Sequence, residues 1–422
     1  GHGFVERRAD EIADLGLAWL AARDAGRPFF LWLHFFDPHQ PLEPPPESLE
    51  QASGNAYHGE VAAMDRAIGR VLAALRAEGV LDETLVVVVG DHGEAFGEHS
   101  EATHGSFCYD TTMRVPLILS GPGIRPGERS RANVSVVDVH PTILAAMGLG
   151  AGAVDGIALL DGEPAPDRGV YVESYHGHIQ LGWSPLAGWV RGGVKYLHSS
   201  RPELYDLRAD PGETRDLAAE AADLAEFRRA LDEVASRPAL EAERLSADRE
   251  ALDELRRLGY MAGGEADADL PHPLDTRGLP SPADSLWEQD AIDRASMLTM
   301  SGRRDEAIAT YRSPLGRRPK HPTVLQELAY LLMQSGRWTE ARDVLEQRLA
   351  LPPAIALTHM NLGACLHQLG EIEAALAHLH RAADMNPTNV QLLRYLIDLH
   401  TGRGETRDAA HYRDLLERAL GG

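Results

Sequence analysis

Hydrophobic and polar positions along residues 1–262 alternate between helical and strand patterns. Residues 6–25 are predicted as a helix, and a second helix is marked by apolar residues spaced three or four apart: Val61, Met64, Ile68, Val71, Leu72 and Leu75. Three runs are predicted as strands: PFFLWLHFF (28–36), LVVVV (85–89) and VPLILSG (115–121). Because the last two are short and unbroken apolar runs, we expect them to be buried on both faces of a parallel or mixed sheet flanked by helices. The pattern is typical of an α/β fold.

A different period governs the end of the chain. Three residue types recur every 34 residues: Gly302, Gly336, Gly370 and Gly404; Ala307, Ala341, Ala375 and Ala409; Pro319, Pro353 and Pro387. These columns resemble the tetratricopeptide repeat, in which a small residue lets paired helices cross closely, a glycine turns the chain and a proline ends the second helix. The fourth unit departs, with Ile397 at the small position and Arg413 at a usually apolar one, which is typical of a solvated cap.

The segment between the two patterns has neither period. DADLPHPLDTRGLPSPADS (267–285) is rich in proline and aspartate, and we interpret it as part of a linker. The chain is therefore predicted to comprise an α/β domain over residues 1–262, a linker over 263–285, and an all-α solenoid of about four repeats over 286–422, with the boundary near residue 265.

Composition narrows the classes of partner. The chain has 64 acidic and 41 basic side chains and a net charge of −23, which argues against nucleic acid or an anionic membrane held by bulk electrostatics, although a local pocket for a small anion stays possible. Two distant cysteines indicate neither a disulfide framework nor a cysteine-based zinc site. No apolar run approaches the ~18 residues that a membrane span requires. The compartment stays open.

Two polar clusters follow predicted strands: DPHQP (37–41) and DHGE (91–94). In open α/β sheets, sites form at the carboxyl ends of strands. The carboxylate of Asp91 and the imidazole of His92 would make a mixed oxygen and nitrogen half-shell for a divalent metal. The alternative is that Asp91 only caps a helix and His92 is merely polar.

Further histidines lie close to these clusters in the chain. His99 and His104 follow within the same loop, a spacing that suits a loop folding back over a charged site. His39 is held in a turn flanked by prolines at the end of another predicted strand.

Six blocks, in order, resemble the carboxyl-terminal part of a sulfatase of the alkaline phosphatase superfamily, which also includes phosphonate monoester hydrolases. They are FFLWLHFFDPHQPLEPP (29–45), YHGEVAAMDRAIGRVLAAL (57–75), VVVGDHGEAFGEH (87–99), HGSFCYDTTMRVPLIL (104–119), SVVDVHPTIL (135–144) and ELYDLRADPGETRDLA (203–218). Together they span most of residues 1–262. The resemblance implies an incomplete alkaline phosphatase-like mixed sheet flanked by helices.

The resemblance also implies roles for four residues. Asp91 and His92 would be metal ligands, with His92 standing where many sulfatases carry asparagine. His39 would contact the ester near its leaving group, and His104 would face the anionic oxygens. The cofactor would be one divalent ion: calcium, or manganese or another transition ion in view of the histidine.

The nucleophile expected from the family is missing from this sequence. Sulfatases use a formylglycine made from the Cys or Ser of a C/S-x-P/A-x-R motif, whereas Cys108 is followed by YDTT and Cys365 by LHQL. The family's first pair of metal-binding aspartates also lies upstream. We therefore expect this chain to be a fragment whose parent carries the formylglycine, and the isolated chain to bind metal weakly, to show no turnover and to aggregate through exposed strand edges.

Three functional hypotheses remain. The first is a metal-dependent sulfuric ester hydrolase with an appended repeat array that binds a protein or peptide partner. The second is a phosphonate or phosphate ester hydrolase of the same superfamily, since one site can accept similar tetrahedral anions. The third is a non-catalytic scaffold in which only the repeats act.

Overall fold

The computed structural model describes residues 7–160, 162, 164–221, 223–238, 270–276, 278–351 and 355–421. The predicted boundary near residue 265 lies outside these ranges, as does Pro353 of the repeat pattern. Two compact units are present: residues 1–91 with 116–165, and residues 92–115 with 166–422. None of the described helices is both long enough and apolar enough to cross a bilayer.

Helices and short strands alternate in the region before the repeats. In chain order the elements are α1 (Ala9–Ala22), α2 (Pro46–Gln51), α3 (Ala56–Ala77), β1 (Val86–Val89), α4 (Asp110–Met113), β2 (Leu117–Ser120), α5 (Val139–Ala146), β3 (Val170–Ser174), α6 (His176–Leu181), β4 (Leu186–Arg191), β5 (Val194–His198), β6 (Glu203–Asp206) and α7 (Ala225–Ala235).

The repeat region consists of paired helices. The pairs are α8 (Leu286–Met300) with α9 (Arg304–Arg317), α10 (Pro322–Gln334) with α11 (Trp338–Leu349), α12 (Ala356–Gln368) with α13 (Ile372–Met385), and α14 (Val390–Gly402) with α15 (Thr406–Gly421). The predicted class, an α/β region followed by an all-α repeat array, is confirmed.

The first unit is built around the contact between α1 and α3. Ala13 of α1 and Ala67, Val71 and Leu75 of α3 are buried in one cluster. The i, i+4 spacing on α3 agrees with the predicted apolar face, although alanines at 63 and 67 form much of its buried centre. Small residues there allow the two helices to approach closely.

The strands of the first unit differ from the expectation of full burial. β1 and β2 pair antiparallel, Val86 opposite Ser120 and Val89 opposite Leu117, and each strand is only partly buried. Ile118 is 59% exposed. The prediction that these runs are buried on both faces is therefore wrong for the described structure, because an unbroken apolar run does not specify how many neighbours cover it.

Residues 28–36 are not a strand in the described structure, although their pattern predicted one. Phe29, Leu31, Leu33 and Phe35 pack against the α1–α3 cluster, whereas the intervening Trp32 is 79% exposed. The two-residue alternation of a strand is thus kept. The strand assignment fails because no described segment pairs with this backbone.

The second unit contains a four-stranded antiparallel sheet in the order β3-β4-β5-β6. Gly192 and Gly193 join β4 to β5 with φ of 61° and 84°. Two successive left-handed residues make the tight turn whose twist suits a hairpin, and glycine adopts it without steric cost. Leu186 of β4 and Leu197 of β5 are buried in one cluster with Trp183, which precedes β4.

A buried cation joins this sheet to the segment that carries the candidate site residues. Lys195 of β5 is fully buried, and its Nζ lies 2.5 Å from Asp110 Oδ1 and 2.9 Å from Glu213 Oε1. The same Nζ donates to the carbonyl oxygen of Cys108 at 3.1 Å. Because a buried ammonium is tolerated only when it is paired, these contacts hold residues 108–110 against the sheet.

The repeat columns have the structural roles that the period predicts. Gly302, Gly336, Gly370 and Gly404 end the first helix of each pair with φ between 69° and 82°. The four alanines of the second column are at most 1% exposed. At the small position of the third unit, a Cβ on Gly363 would lie 2.6 Å from Leu379 Cγ, so only glycine permits this helix contact.

The first repeat helix shares a core with the sheet of the second unit. Leu286 and Ile292 of α8 pack against the cluster that contains Trp183. The carboxylate of Glu288 is fully buried, accepting from Trp183 Nε1 at 2.8 Å and from Arg318 Nη1 at 2.5 Å. The repeats are therefore continuous with this sheet and are not attached to it by a linker alone.

Lys195→Ala is expected to lower the free energy of unfolding by about 3–5 kcal/mol, because the buried carboxylate of Glu213 and the partly buried one of Asp110 would be left without their cation. Urea denaturation followed by circular dichroism measures this. Arg191→Ala, which removes the exposed ion pair with Glu226 at the end of the neighbouring strand, is the control and should cost at most about 1 kcal/mol. Equal losses in the two variants would contradict this account of Lys195.

Candidate functional site

The loop that follows β1 folds back on itself, as its histidine spacing predicted. The N–H of Gly93 donates to the carbonyl of Thr112 at 2.7 Å, and the N–H of Ala95 donates to that of Thr103 at 2.7 Å. A Cβ on residue 93 would lie 2.3 Å from Thr111 O, so glycine is required for this close approach of two backbones. The fold thereby brings the start of the loop next to its end.

This return places three possible ligand groups together. The rings of His92 and His104 stack with centroids 4.0 Å apart, and His104 Nδ1 lies 2.9 Å from Glu94 Oε2. One ligand atom from each of the three residues lies within 4.8 Å of the other two. We call this set the loop cluster. Its imidazole and carboxylate donors suit zinc, manganese or a related transition ion better than an oxygen-only shell would.

Sequence reasoning did not select Glu94, although the residue belongs to the DHGE stretch that was identified. The signal that was available is its position two residues after His92, with a glycine between them. That spacing alone does not specify which way the Glu94 side chain points. Only the folding back of the loop, which brings His104 to the Glu94 carboxylate, distinguishes it from the other acids nearby.

A buried carboxylate supports the far side of the loop. Glu101 is 3% exposed, and its Oε1 accepts from the N–H groups of Ser106 at 2.7 Å and Phe107 at 3.2 Å. Burial raises the pKa of this carboxyl above its ordinary value, against the opposing effect of the two hydrogen bonds. The turn that follows His104 is thus held in place by hydrogen bonds from its backbone N–H groups to the buried Glu101 carboxylate.

His99, predicted to lie in the same loop, has a different environment. Its ring stacks on Tyr109 with centroids 3.7 Å apart, and its backbone φ is 52°. Burial lowers the pKa of its imidazole. The residue packs against an aromatic side chain and is not part of the loop cluster.

The structure places the four predicted site residues in two units. His92 and His104 lie together in the second unit. Asp91, exposed directly after β1, and His39 belong to the first unit. The predicted roles of all four as metal ligands or catalytic groups stay predictions.

The turn that carries His39 also rests on a buried glutamate. Glu60 of α3 accepts from the N–H of His39 at 3.2 Å and from that of Glu43 at 2.6 Å. Burial raises the pKa of this carboxyl. The His39 ring packs on Phe36 with centroids 4.2 Å apart. Helix α3 therefore orients the loop by accepting from its backbone.

Comparison with known proteins defines the class. Residues 5–149 match the model of the sulfatase family, and residues 298–354 and 327–390 match tetratricopeptide repeat models. One part of the chain thus matches the sulfatase family and a later part matches tetratricopeptide repeats, as its residues predicted.

Individual relatives are sulfatases. Choline-sulfatase of Rhizobium meliloti is 31% identical over 178 residues, covering 41% of this chain and 34% of that protein. Arylsulfatase K of Danio rerio is 28% identical over 217 residues, covering 46% and 41%. Arylsulfatase of Clostridium perfringens is 28% identical over 255 residues, covering 49% and 52%. The chain spans about a third to a half of the length of these relatives.

Replacing Glu101 tests how the loop is supported. Glu101→Ala should lower the free energy of unfolding by about 2–4 kcal/mol, because two buried N–H groups lose their acceptor. Glu98→Ala, which removes an exposed carboxylate from the same loop, is the matched control and should cost no more than about 1 kcal/mol. Chemical denaturation of both variants measures the difference, and a loss for Glu101→Ala no larger than that of the control would contradict the support role.

The raised pKa of Glu101 predicts a pH dependence. A carboxyl whose folded pKa exceeds its unfolded value contributes stability that is complete below the unfolded pKa and is lost as pH rises through the folded pKa. The unfolding free energy of the wild type minus that of Glu101→Gln should therefore be largest below about pH 4.5, the ordinary value, and decline above it. A difference that grows with pH would contradict the direction of the shift.

Proposed function

We propose that the parent protein is a metal-dependent sulfatase, a hydrolase of sulfate esters. The observation that carries this is the loop cluster, because the segment that matches the sulfatase family brings imidazole and carboxylate donors together in the loop that follows β1. In this proposal residues 1–262 carry the hydrolase portion, and 286–422 bind a protein or peptide partner.

Each residue has a proposed chemical task. Asp91 and His92 hold one divalent ion, with calcium and manganese both compatible with the donors. When bound, that ion supplies positive charge that stabilises the developing charge on the ester oxygens. The ring of His104, oriented by Glu94, donates to an anionic oxygen of the ester, and His39 donates a proton to the departing oxygen.

The orientation of His104 follows from its contact with Glu94. A carboxylate that accepts from Nδ1–H directs the ring so that Nε2 faces away from Glu94. The stacked His92 ring opposes tilting of the His104 imidazole out of its plane. A donor held in this way needs little reorganisation when charge develops on the substrate, which is the condition for effective electrostatic stabilisation.

The expected nucleophile is a formylglycine supplied by the parent protein. Hydrolysis of phosphonate or phosphate esters is the second candidate, favoured by a histidine at position 92, where many sulfatases carry asparagine. A non-catalytic scaffold is the third hypothesis. The arrangement of three polar side chains in the loop cluster argues against it, because packing alone does not require such a set.

Turnover by the parent protein tests these assignments. Asp91→Ala should abolish hydrolysis of p-nitrophenyl sulfate, and His104→Ala should lower kcat/KM by about 10²–10⁴, because a positioned donor is lost. His140→Ala, an exposed histidine outside the loop cluster, is the control and should retain activity. The measurement is steady-state release of p-nitrophenolate with and without added calcium or manganese.

The same assay separates the hypotheses. Unchanged activity of Asp91→Ala would overturn the site assignment. A higher kcat/KM for p-nitrophenyl phosphate or a phosphonate monoester than for the sulfate would favour the second candidate. A parent protein that hydrolyses none of these esters, with or without metal, would leave the scaffold as the better explanation.

A further inference from the structure

The last repeat unit contains a second group of possible metal ligands. His400 lies near the end of α14, Glu405 lies in the turn that follows, and Asp408 lies in the first turn of α15. One ligand atom from each of the three residues lies within 4.8 Å of the other two. We call this set the terminal cluster. It combines an imidazole with two carboxylates, the donor types of a zinc site.

His400 is held on both sides of its ring. Its side chain is 3% exposed, Nδ1 lies 2.6 Å from Glu405 Oε2, and Nε2 lies 3.0 Å from His380 Nε2. The two imidazoles are inclined by only 13°, so an N–H of one points at the ring nitrogen of the other. A hydrogen-bond partner on its other ring nitrogen fixes the tautomer and orientation of a metal-ligating histidine, and here that partner is His380.

The hydrogen bonds can accommodate a metal without changing the charge of either ring. Without metal, Nδ1–H of His400 donates to Glu405, and Nε2–H of His380 donates to His400. With a cation at His400 Nδ1, the hydrogen of His400 resides on Nε2 and is donated to His380 Nε2, while the hydrogen of His380 resides on Nδ1. Each imidazole stays neutral, and only the tautomers differ.

The carboxylates leave the site open on its solvent side. Oε1 of Glu405 accepts from Arg403 Nε at 2.8 Å, which leaves Oε2 directed at His400. Asp408 is exposed. Ligand atoms around a tetrahedral zinc ion lie roughly 3.3–3.5 Å apart, given metal–ligand bonds of about 2.0–2.2 Å. Rotation of these two accessible side chains can reach that spacing while the buried imidazole stays in place.

We propose that His400, Glu405 and Asp408 bind a zinc ion that links α14 to α15, with His380 orienting His400. The fourth unit departs from the repeat pattern at Ile397 and Arg413, and its two helices share a buried cluster that includes Leu396 and Tyr412. A metal bound only by the folded arrangement stabilises that arrangement by its binding free energy. The ion would thus stabilise the end of the array, independently of any hydrolytic activity.

Hydrogen–deuterium exchange of the full chain, stripped with EDTA and then given Zn²⁺ alone, tests the proposal locally. Zinc should slow exchange in peptides from residues 390–421 in the wild type. Asp408→Asn, an exposed change that is compatible with folding, should raise the zinc concentration needed for this protection at least about tenfold. Asp414→Asn, also exposed on α15, is the matched control and should behave like the wild type.

His380→Gln tests the orienting role, and circular dichroism should show the helix content of the wild type. We expect zinc protection of residues 390–421 in this variant to need about 10–100-fold more zinc, because the His400 ring loses its imidazole partner. Absence of protection in the folded wild type, or identical zinc dependence in Asp408→Asn and Asp414→Asn, would overturn the proposal. Zinc bound at the loop cluster would not produce the expected response, because the readout is confined to the last two helices.

Discussion

The arrangement of the second unit depends on one buried cation. Lys195 lies in the middle of an antiparallel sheet with no exposure, and its charge is compensated by Asp110, Glu213 and a backbone carbonyl. Removing an ammonium from water is costly unless its donors are satisfied, so the folded chain must place acceptor groups around Lys195. Two of them belong to the segment that ends the candidate loop. The sheet therefore determines where that loop ends.

A buried glutamate orients each of the two loops that carry His39 and His104. Glu60 accepts from the N–H groups of His39 and Glu43, and Glu101 accepts from those of Ser106 and Phe107. Both carboxyls are buried, and this loss of contact with water raises the pKa of each. The two carboxylates thus orient the backbone from which the side chains of His39 and His104 extend.

The repeat array is more than an appended module in this structure. Its first helix supplies Leu286 and Ile292 to the core under the four-stranded sheet, and Glu288 binds the indole N–H of Trp183. The first repeat helix therefore shares packing with the four-stranded sheet that precedes the repeats. Close packing transmits small displacements, because interiors have few voids in which they could be absorbed.

Much of the organisation was determined by the sequence itself. The 34-residue columns specify the helix pairs because turns and close helix contacts demand glycine and alanine locally, as Gly363 illustrates. Asp91, His92 and His104 could also be selected as candidates from their types and positions. The resemblance to sulfatases rested on ordered motifs and was confirmed by the family match.

Only the tertiary structure decided the rest. Residues 28–36 have a strand pattern, but whether they pair depends on a neighbouring strand, and the hydrophobic pattern does not reveal whether one is present. Glu94 joined His92 and His104 because the loop folds back, and His380 met His400 because two helices pack side by side. Local sequence specifies which groups are present and the turns they favour. Their distances depend on contacts between segments far apart in the chain, which no single stretch encodes.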